Sequence, residues 1–259
     1  MSIIDILRLP EAKEIVDLDD PETALIHKKI IKKKKFLRRL YLDFYNSFKK
    51  LSKDAPPGLM VEIGSGSSFL KEEIKDLITS DIFQGQDIDL VFDAIKMPFK
   101  DSSVSVFFLL NVLHHIKNPI AFFDEANRCL SEHGKIIMIE PYNSLWSKFI
   151  YTNFHHEPFF ETDSWEIKGD GRLTNSNQAL PWMIFFRDRL HFENKFPSLK
   201  IKLLKPHNPI LYIISGGLSI RQLLPDFMYD VVKVVEMLLS PLSKYTAMFF
   251  TVEIEKVKI

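Results

Sequence analysis

Short apolar runs alternate with turns and helical stretches between Leu59 and Ile139. Alternation of this kind is typical of a parallel sheet whose strands are joined by helices lying on its faces. We predict strands at Leu59–Ile63, Leu77–Ser80, Leu90–Phe92, Val104–Leu110 and Lys135–Ile139. The run Val104–Leu110 is almost continuously apolar, which indicates a strand covered on both faces. This region therefore predicts an α/β fold.

A well-marked helix precedes the last of these strands. Asn118 is a favourable N-cap residue, and Pro119 suits the first helical turn. Apolar residues continue at helical spacing to Leu130, and Gly134 is typical of a position just beyond a helix end. We therefore predict a helix that runs from Pro119 to about Leu130.

The chain before the first strand has the pattern of an amphipathic helix from Glu22 to Leu51, broken at Pro56–Gly58. We assign residues 1–58 to an N-terminal helical cap and residues 59–259 to the main domain. Basic side chains cluster in the first part of this helix, at Lys28, Lys29, Lys32, Lys33, Lys34, Lys35, Arg38 and Arg39. They can attract phosphate, an anionic membrane surface or an acidic substrate, or they can form an ordinary solvated face.

Charge and cysteine content limit the partners and the compartment. The formal net charge of the chain is zero, so no overall charge favours nucleic acid. The single cysteine, Cys129, cannot form an internal disulfide, which favours a reducing compartment. The first residues lack the pattern of a secretory signal, and no apolar run approaches the roughly 18 residues that a membrane span requires. We expect a cytoplasmic protein, with or without peripheral membrane contact.

The most informative short segment is Val61–Gly66, with the sequence Val-Glu-Ile-Gly-Ser-Gly, at the end of the first predicted strand. Two glycines allow a sharp turn whose backbone N–H groups approach a ligand, although a purely structural turn has the same pattern. The dinucleotide fingerprint needs a third small residue where this chain has Phe69, which disfavours a nicotinamide cofactor. Asp81 follows Glu62 by 19 residues and ends the second predicted strand, where a carboxylate can accept both ribose hydroxyls of a nucleoside.

Further motifs follow at ordered intervals. In chain order the motifs are Glu62-x-Gly64-x-Gly66, Asp81, Asp93-Ala94, Met97–Ser103 and Asn111–Ile116. Together they resemble class I S-adenosylmethionine-dependent methyltransferases, in the type 11 subgroup that is similar to ubiquinone/menaquinone methyltransferases. The resemblance covers Leu59 to Pro141.

The resemblance implies a role for each matched residue at the first two strand ends. Gly64, Ser65 and Gly66 would hold the methionine part of S-adenosylmethionine. Glu62 would support this loop, and Asp81 would bind the ribose.

It also implies roles for residues after the third and fourth strands. Asp93 and Ala94 match the position that meets the adenine, and Asn111 matches the position beside the amino-acid end of the cofactor. One departure is Ser68, where many relatives carry a third glycine; serine is small and can cap a following helix.

The family resemblance implies a Rossmann-like α/β fold, with a mixed seven-stranded sheet, helices on both faces and an antiparallel C-terminal hairpin. Leu199–Leu204 and Phe249–Val257 alternate apolar and polar residues, as the last two strands require. Insertions at about 143–198 and 205–247 would build the pocket for the methyl acceptor.

The implied activity is methyl transfer to a small-molecule, lipid-linked or sugar acceptor, with oxygen as the methylated atom. A hydroxyl acceptor would benefit from a base, and His155 and His156 are the candidate catalytic residues, although local hydrogen bonding would also explain the pair. His114 and His115 are expected to shape the site. The adjacent residues His155 and His156 lack metal-ligand spacing, so no metal is expected.

Two other functions stay open from the sequence. One is a non-catalytic S-adenosylmethionine-binding module that docks on a membrane or nucleic acid through the basic helix; the other is a nicotinamide-dependent reductase. The apolar stretches Ile210–Leu218 and Phe227–Leu239 can meet a lipid-linked acceptor or a membrane surface, or they can be buried against the sheet. For the methyltransferase, no nucleic-acid partner is expected.

Overall fold

The seven predicted strands form a single sheet in the computed structural model, which describes residues 7–15, 17, 19–155, 157–167 and 175–259. The strands are β1 (Leu59–Ile63), β2 (Ile78–Asp81), β3 (Leu90–Val91), β4 (Val104–Leu110), β5 (Leu130–Pro141), β6 (Leu199–His207) and β7 (Phe249–Lys256). Their order across the sheet is β3-β2-β1-β4-β5-β7-β6. Strands β1 to β5 pair in parallel, whereas β7 runs antiparallel to both β5 and β6. This is the predicted mixed sheet with an antiparallel pair at one edge.

Helices cover both faces of the sheet. They are α1 (Pro10–Lys13), α2 (Pro21–Lys33), α3 (Lys35–Leu51), α4 (Pro119–Cys129), α5 (Leu145–Phe154), α6 (Leu180–Trp182), α7 (Arg189–Lys195), α8 (Leu211–Ser215), α9 (Tyr229–Leu239) and α10 (Ser243–Thr246). A π-helical turn, Met183–Arg187, continues α6, and short 3-10 turns lie at Leu70–Glu72, Leu113–His115, Asp226–Met228 and Ser240–Leu242. None of the helices in the described ranges has the length and hydropathy needed to cross a bilayer.

The predicted single helix Glu22–Leu51 is wrong in one respect, because the structure divides it into α2 and α3 at Lys34. Lys34 has an extended backbone, and its buried Nζ donates hydrogen bonds to the carbonyl oxygens of Gly217 and Ile220 at 2.6 and 2.8 Å. These bonds draw the side chain inward and interrupt the helix. Burial lowers the pKa of Lys34 to about 8.

The helix before β5 is confirmed, but the strand begins earlier than predicted. The side chain of Asn118 accepts a hydrogen bond from the N–H of Ala121 at 3.0 Å, as an N-cap residue does. Helix α4 ends at Cys129, and β5 starts at Leu130 rather than Lys135, because Leu130 already pairs with Val104 before a register shift.

Helix α3 belongs to the core on one face of the sheet. Its apolar side chains, including Phe36 and Phe48, are fully buried, and the Phe48 ring lies 5.2 Å from that of Phe108 in β4. Helices α4 and α7 contribute to the core on the opposite face, with Phe123 and Phe192 stacked edge to face. The carboxyl ends of β1, β2 and β4 meet at one edge of this two-sided core, where ligands of open α/β sheets bind.

Candidate active site

The carboxyl ends of the parallel strands border one cavity of about 650 Å³. Every residue assigned to the cofactor from the sequence lines it: Glu62, Gly64, Ser65, Gly66, Asp81, Asp93, Ala94 and Asn111. His155 also lines the cavity, whereas His156 lies outside the described residues. The structure thus brings together segments that are widely separated in the chain.

Gly64 and Gly66, which follow β1, are glycines for different structural reasons. Both have positive φ angles, +65° at Gly64 and +45° at Gly66, in the region that favours glycine. A Cβ at Gly64 would lie 2.7 Å from a methyl group of Val112, so close packing excludes a side chain there. A Cβ at Gly66 would meet nothing nearer than Asp81 Oδ2 at 3.8 Å, so this glycine leaves open space for a ligand.

Asp81 connects the turn after β1 with the end of β2. Its Oδ2 accepts a hydrogen bond from the N–H of Gly66 at 3.0 Å, and its Oδ1 accepts one from the N–H of Ile82 at 2.8 Å. The carboxylate is therefore held in place at the cavity wall. Its assignment to a ribose stays a prediction.

Two buried oxygen atoms near the glycine turn fit a ligand that carries hydrogen-bond donors. Among the described residues, no group hydrogen-bonds Glu62 Oε2 or Asn111 Oδ1, and both residues line the cavity. Burying such acceptors without a partner is costly. The ammonium group of S-adenosylmethionine would supply the missing donors, so the residues present fit this cofactor.

Glu62 is also electrostatically unusual. It is 2% exposed, and this burial raises its pKa to about 7, against the lowering effect of hydrogen bonds from Ser68 and Ser65. Asn111 has a φ of +56°, in the left-handed region that asparagine tolerates better than most residues. This backbone conformation turns the chain at the end of β4.

A second polar group lines the same cavity and centres on His114. The fully buried Glu140, at the end of β5, accepts hydrogen bonds at Oε1 from the N–H groups of Val112 and Leu113, both at 2.8 Å. Glu140 Oε2 lies 2.7 Å from His114 Nδ1. The carboxylate therefore fixes both the backbone turn after β4 and the imidazole ring.

Glu157 reaches the same ring from the opposite side. Its Oε2 is 3.4 Å from His114 Nε2, and its Oε1 is 3.8 Å from His115 Nε2. Burial opposes the charged form of His114, but the hydrogen bonds to Glu140 and Glu157 outweigh it and raise the pKa of His114 to about 9. The pKa of Glu157 is lowered in spite of burial, because His114 bonds to it and neighbouring histidines stabilise its charge.

His155 adjoins this group through Gln178. The Gln178 side-chain amide donates to Glu157 Oε2 at 2.8 Å and lies 2.9 Å from His155 Nδ1, which also accepts from the N–H of Glu157 at 3.3 Å. In this arrangement Nδ1 is the ring nitrogen that accepts a backbone hydrogen bond. The catalytic assignment of His155 stays a prediction.

Glu140, Glu157 and Gln178 were not identified from the sequence. Glu140 ends the apolar run of β5, and a carboxyl group at a strand end was a usable signal, as it was for Asp81. Glu157 was next to the histidine pair but had no marked spacing. Gln178 lies in an insertion whose pattern gave no indication of its position.

Comparison with known proteins agrees with this geometry. The methyltransferase domain family Methyltransf_11 matches residues 61–138, which contain the glycine turn, Asp81 and Asn111. The Dictyostelium discoideum protein named "Probable polyketide synthase 10" is 31% identical over 162 residues, which are 59% of this chain and 6% of that protein. The chain therefore spans only a small part of this relative's length.

Solved structures show the same fold. A chain from the complex between the Haloferax volcanii Trm112 methyltransferase activator and a methyltransferase superposes with a TM-score of 0.52 at 14% identity, covering 94% of this chain and 99% of that one. The geranyl diphosphate C-methyltransferase of Streptomyces coelicolor A3(2), in complex with Mg²⁺, geranyl-S-thiolodiphosphate and S-adenosyl-L-homocysteine, gives a TM-score of 0.51 at 13% identity. That match covers 95% of this chain and 84% of the other. At these identities the likeness concerns the fold.

The sheet order, the cavity at the strand ends and the family match support one conclusion. This chain has the Rossmann-like fold of class I methyltransferases, and its residues 61–138 match the methyltransferase domain family.

Proposed function

We propose that this chain transfers a methyl group from S-adenosylmethionine to an oxygen atom of a small-molecule, lipid-linked or sugar acceptor. The observation that carries the proposal is a cavity of about 650 Å³ that is lined both by the glycine turn with Asp81 and by His114 and Glu157. One cavity can therefore hold donor and acceptor together, as direct transfer requires.

The bound cofactor would supply an activated methyl group on a sulfonium sulfur, and this chain would align the two reactants. Asp81 would hold the ribose, while Glu62 and Asn111 would accept hydrogen bonds from the ammonium group. Buried aromatic side chains at the acceptor end, Tyr151 and Phe249, exclude water from the wall there. Alignment and exclusion of water are the main requirements of an in-line displacement.

A hydroxyl acceptor must also lose a proton. We propose His155 as the base, acting at Nδ1, the nitrogen that accepts hydrogen bonds in this structure. The acceptor hydroxyl would take the place of the Gln178 amide at that nitrogen. Glu157, two residues away, would stabilise the imidazolium that results.

Contact with a membrane surface is a second part of the proposal, because α9 exposes an apolar face to solvent. Val231, Val234, Val235 and Leu238 are 52, 51, 41 and 71% exposed and recur at helical spacing on one side of α9. We call these four residues the apolar face. The other side of α9 is buried, at Tyr229, Val232 and Glu236, and contacts α3 and α8 rather than the sheet.

Basic side chains border the apolar face. Helix α3 lies beside α9, with an ion pair of 2.6 Å between Arg39 and Asp230. Lys35 is exposed one turn before Arg39 on the same side of α3. Exposed apolar residues beside the exposed Lys35 favour the surface of an anionic bilayer as the occupant of this face.

The basic run, the eight lysines and arginines between Lys28 and Arg39, has a smaller net positive charge in the structure than its sequence suggests. Four of its eight cations form ion pairs and Lys34 is buried; the paired residues are Lys28, Lys33, Arg38 and Arg39. Exposed ion pairs of this kind contribute little to stability, but they reduce the net positive charge. This weakens the alternative of a module that docks on nucleic acid.

Ligand-dependent melting tests the cofactor. S-adenosylhomocysteine should raise the melting temperature, with a stabilisation of about 2.7 kcal/mol at a ligand concentration 100 times Kd, and NADH should not. Stabilisation by NADH alone would support the reductase and contradict the proposal.

Methyl transfer itself separates the enzyme from a non-catalytic module. Transfer of label from methyl-labelled S-adenosylmethionine into an extract fraction should occur with the wild-type chain and disappear with Asp81→Ala. Label in an alkali-stable ether would support oxygen as the acceptor atom, whereas label on carbon or nitrogen would overturn that part. Absence of transfer into every fraction would favour the binding module.

A further inference from the structure

We propose that His114, His115 and Glu157 bind a divalent metal ion, with zinc as the best match, at the acceptor end of the cavity. The binding itself is independent of methyl transfer; only the use of the ion rests on the proposed function. Residue spacing along the chain does not indicate this site, because Glu157 is remote from the two histidines.

Distances between the three side chains suit coordination of one ion. A ligand atom from each residue lies within 4.8 Å of the other two. Glu157 Oε2 is 3.4 Å from His114 Nε2, and Glu157 Oε1 is 3.8 Å from His115 Nε2. Ligands about 2.0–2.1 Å from a tetrahedral zinc ion are roughly 3.4 Å apart, so the first distance matches. His115, whose ligand atom lies within 4.8 Å of those of the other two residues, would move toward them when the ion binds.

Glu140 provides the supporting contact that metal-bound histidines usually have. Its Oε2 lies 2.7 Å from His114 Nδ1, and its other oxygen is held by two backbone N–H groups. A carboxylate that accepts the Nδ1 proton leaves Nε2 as the ligand atom, and Nε2 is the nitrogen that points at Glu157. The ring is thus oriented before any ion binds.

Charge also favours a dication at this position. Glu140 is fully buried, and Glu157 is largely buried beside the same imidazole. Buried carboxylates need positive partners. A divalent ion bound by neutral His114 and His115 would balance two carboxylate charges.

The three proposed ligands line the cavity, so a further coordination position can face the acceptor. Three protein ligands with one open position are typical of catalytic zinc sites. A divalent ion in such a site lowers the pKa of a hydroxyl that reaches it, which would assist the proposed methylation at oxygen.

Metal titration of the chelator-treated full-length chain tests the proposal directly. Zinc ions should bind at one equivalent per chain, measured by competition with a chromophoric chelator, and Co²⁺ should give the visible absorption of a low-symmetry site. His115→Ala and Glu157→Gln should each weaken zinc binding at least tenfold. Glu140→Gln should weaken it by about 10- to 100-fold through loss of the supporting contact.

His133→Ala is the matched control, because His133 is 64% exposed, bonds to Glu255 and lies outside the cavity lining. It should bind zinc as the wild type does. Equal zinc affinity in the wild type, His115→Ala and Glu157→Gln, or no stoichiometric binding to the wild type, would overturn the metal site.

S-adenosylhomocysteine binding by calorimetry to the metal-free variants checks their folding and separates the two proposals. In the variants, normal binding of this ligand with weakened zinc binding would support the metal site, whereas in the wild type normal ligand binding without zinc binding would remove the metal site and leave the cofactor site intact. Zinc binding without ligand binding would contradict the proposed function alone.

Discussion

Asp81 has two tasks, since its carboxylate holds the turn after β1 and lies at the cavity wall. We predict that Asp81→Ala weakens the binding of S-adenosylhomocysteine by about 10- to 100-fold, because hydrogen bonds to a charged group contribute about 1.5–3 kcal/mol. Calorimetric titration measures this change. Asp124→Ala, at an exposed position outside the cavity, should bind normally. Equal affinity in the two variants would refute the assignment.

Glu62 should make the stability of the ligand-free chain depend on pH. Its pKa is raised from 4.5 to about 7, so between these values the unfolded state releases a proton that the folded state retains. The contribution of Glu62 to stability is therefore fully present at low pH and is lost as pH rises to 7. The loss should reach about 2–3 kcal/mol between about pH 5 and pH 8.

Comparison with Glu62→Gln isolates this contribution. Glutamine cannot ionise, so the free energy of unfolding of the variant should rise relative to that of the wild type over the same pH interval. Urea unfolding at several pH values measures the difference. Parallel pH profiles would show that Glu62 titrates normally.

Helix α3 should unfold together with the sheet, because its buried side chains form one core with β4 and β5. We predict that Phe48→Ala costs about 3–5 kcal/mol, as removal of a buried phenylalanine usually does, and that unfolding stays a single transition. Circular dichroism and tryptophan fluorescence in urea should report coincident midpoints.

Phe227→Ala is the control for that change. Phe227 is 76% exposed, so its replacement should alter stability by no more than about 0.5 kcal/mol. A separate early transition in Phe48→Ala would show that the N-terminal helices form an independent cap.

One helix boundary was predictable from the sequence and another was not. The capping residue Asn118 and the following Pro119 act locally, so the start of α4 was predictable. The break at Lys34 was not, because it depends on carbonyl groups of Gly217 and Ile220, far along the chain. The apolar residues keep their helical spacing on both sides of Lys34, so the sequence pattern does not reveal the break.

The apolar face of α9 and the cations of α3 meet only in the folded molecule, and together they predict binding to anionic vesicles. Replacing Val234 and Leu238 with aspartate should reduce co-sedimentation with vesicles of phosphatidylcholine and phosphatidylserine at least tenfold, because burial of each side chain contributes on the order of 1.5 kcal/mol or more. The wild type should bind less at high salt.

Leu190→Asp is the control, since Leu190 is 75% exposed on α7, outside the apolar face. It should bind vesicles as the wild type does. A stable dimer by light scattering, together with no vesicle binding, would show that a second copy covers the face instead.

The strand and helix pattern, the glycine turn and the position of Asp81 were predictable from the sequence, because each depends on neighbours along the chain or on strand ends that meet in any parallel sheet. Asp93 and Asn111 were assigned through the family resemblance of their motifs, and both line the cavity. The contacts of His114 with Glu140 and Glu157 depended on the tertiary structure, since their residues come from three separate segments. The ion pairs that neutralise the basic run also depended on the tertiary structure, because their acidic partners lie elsewhere in the chain. Local patterns record the periodicity of an element, whereas burial and charge pairing depend on which distant surfaces the fold brings together.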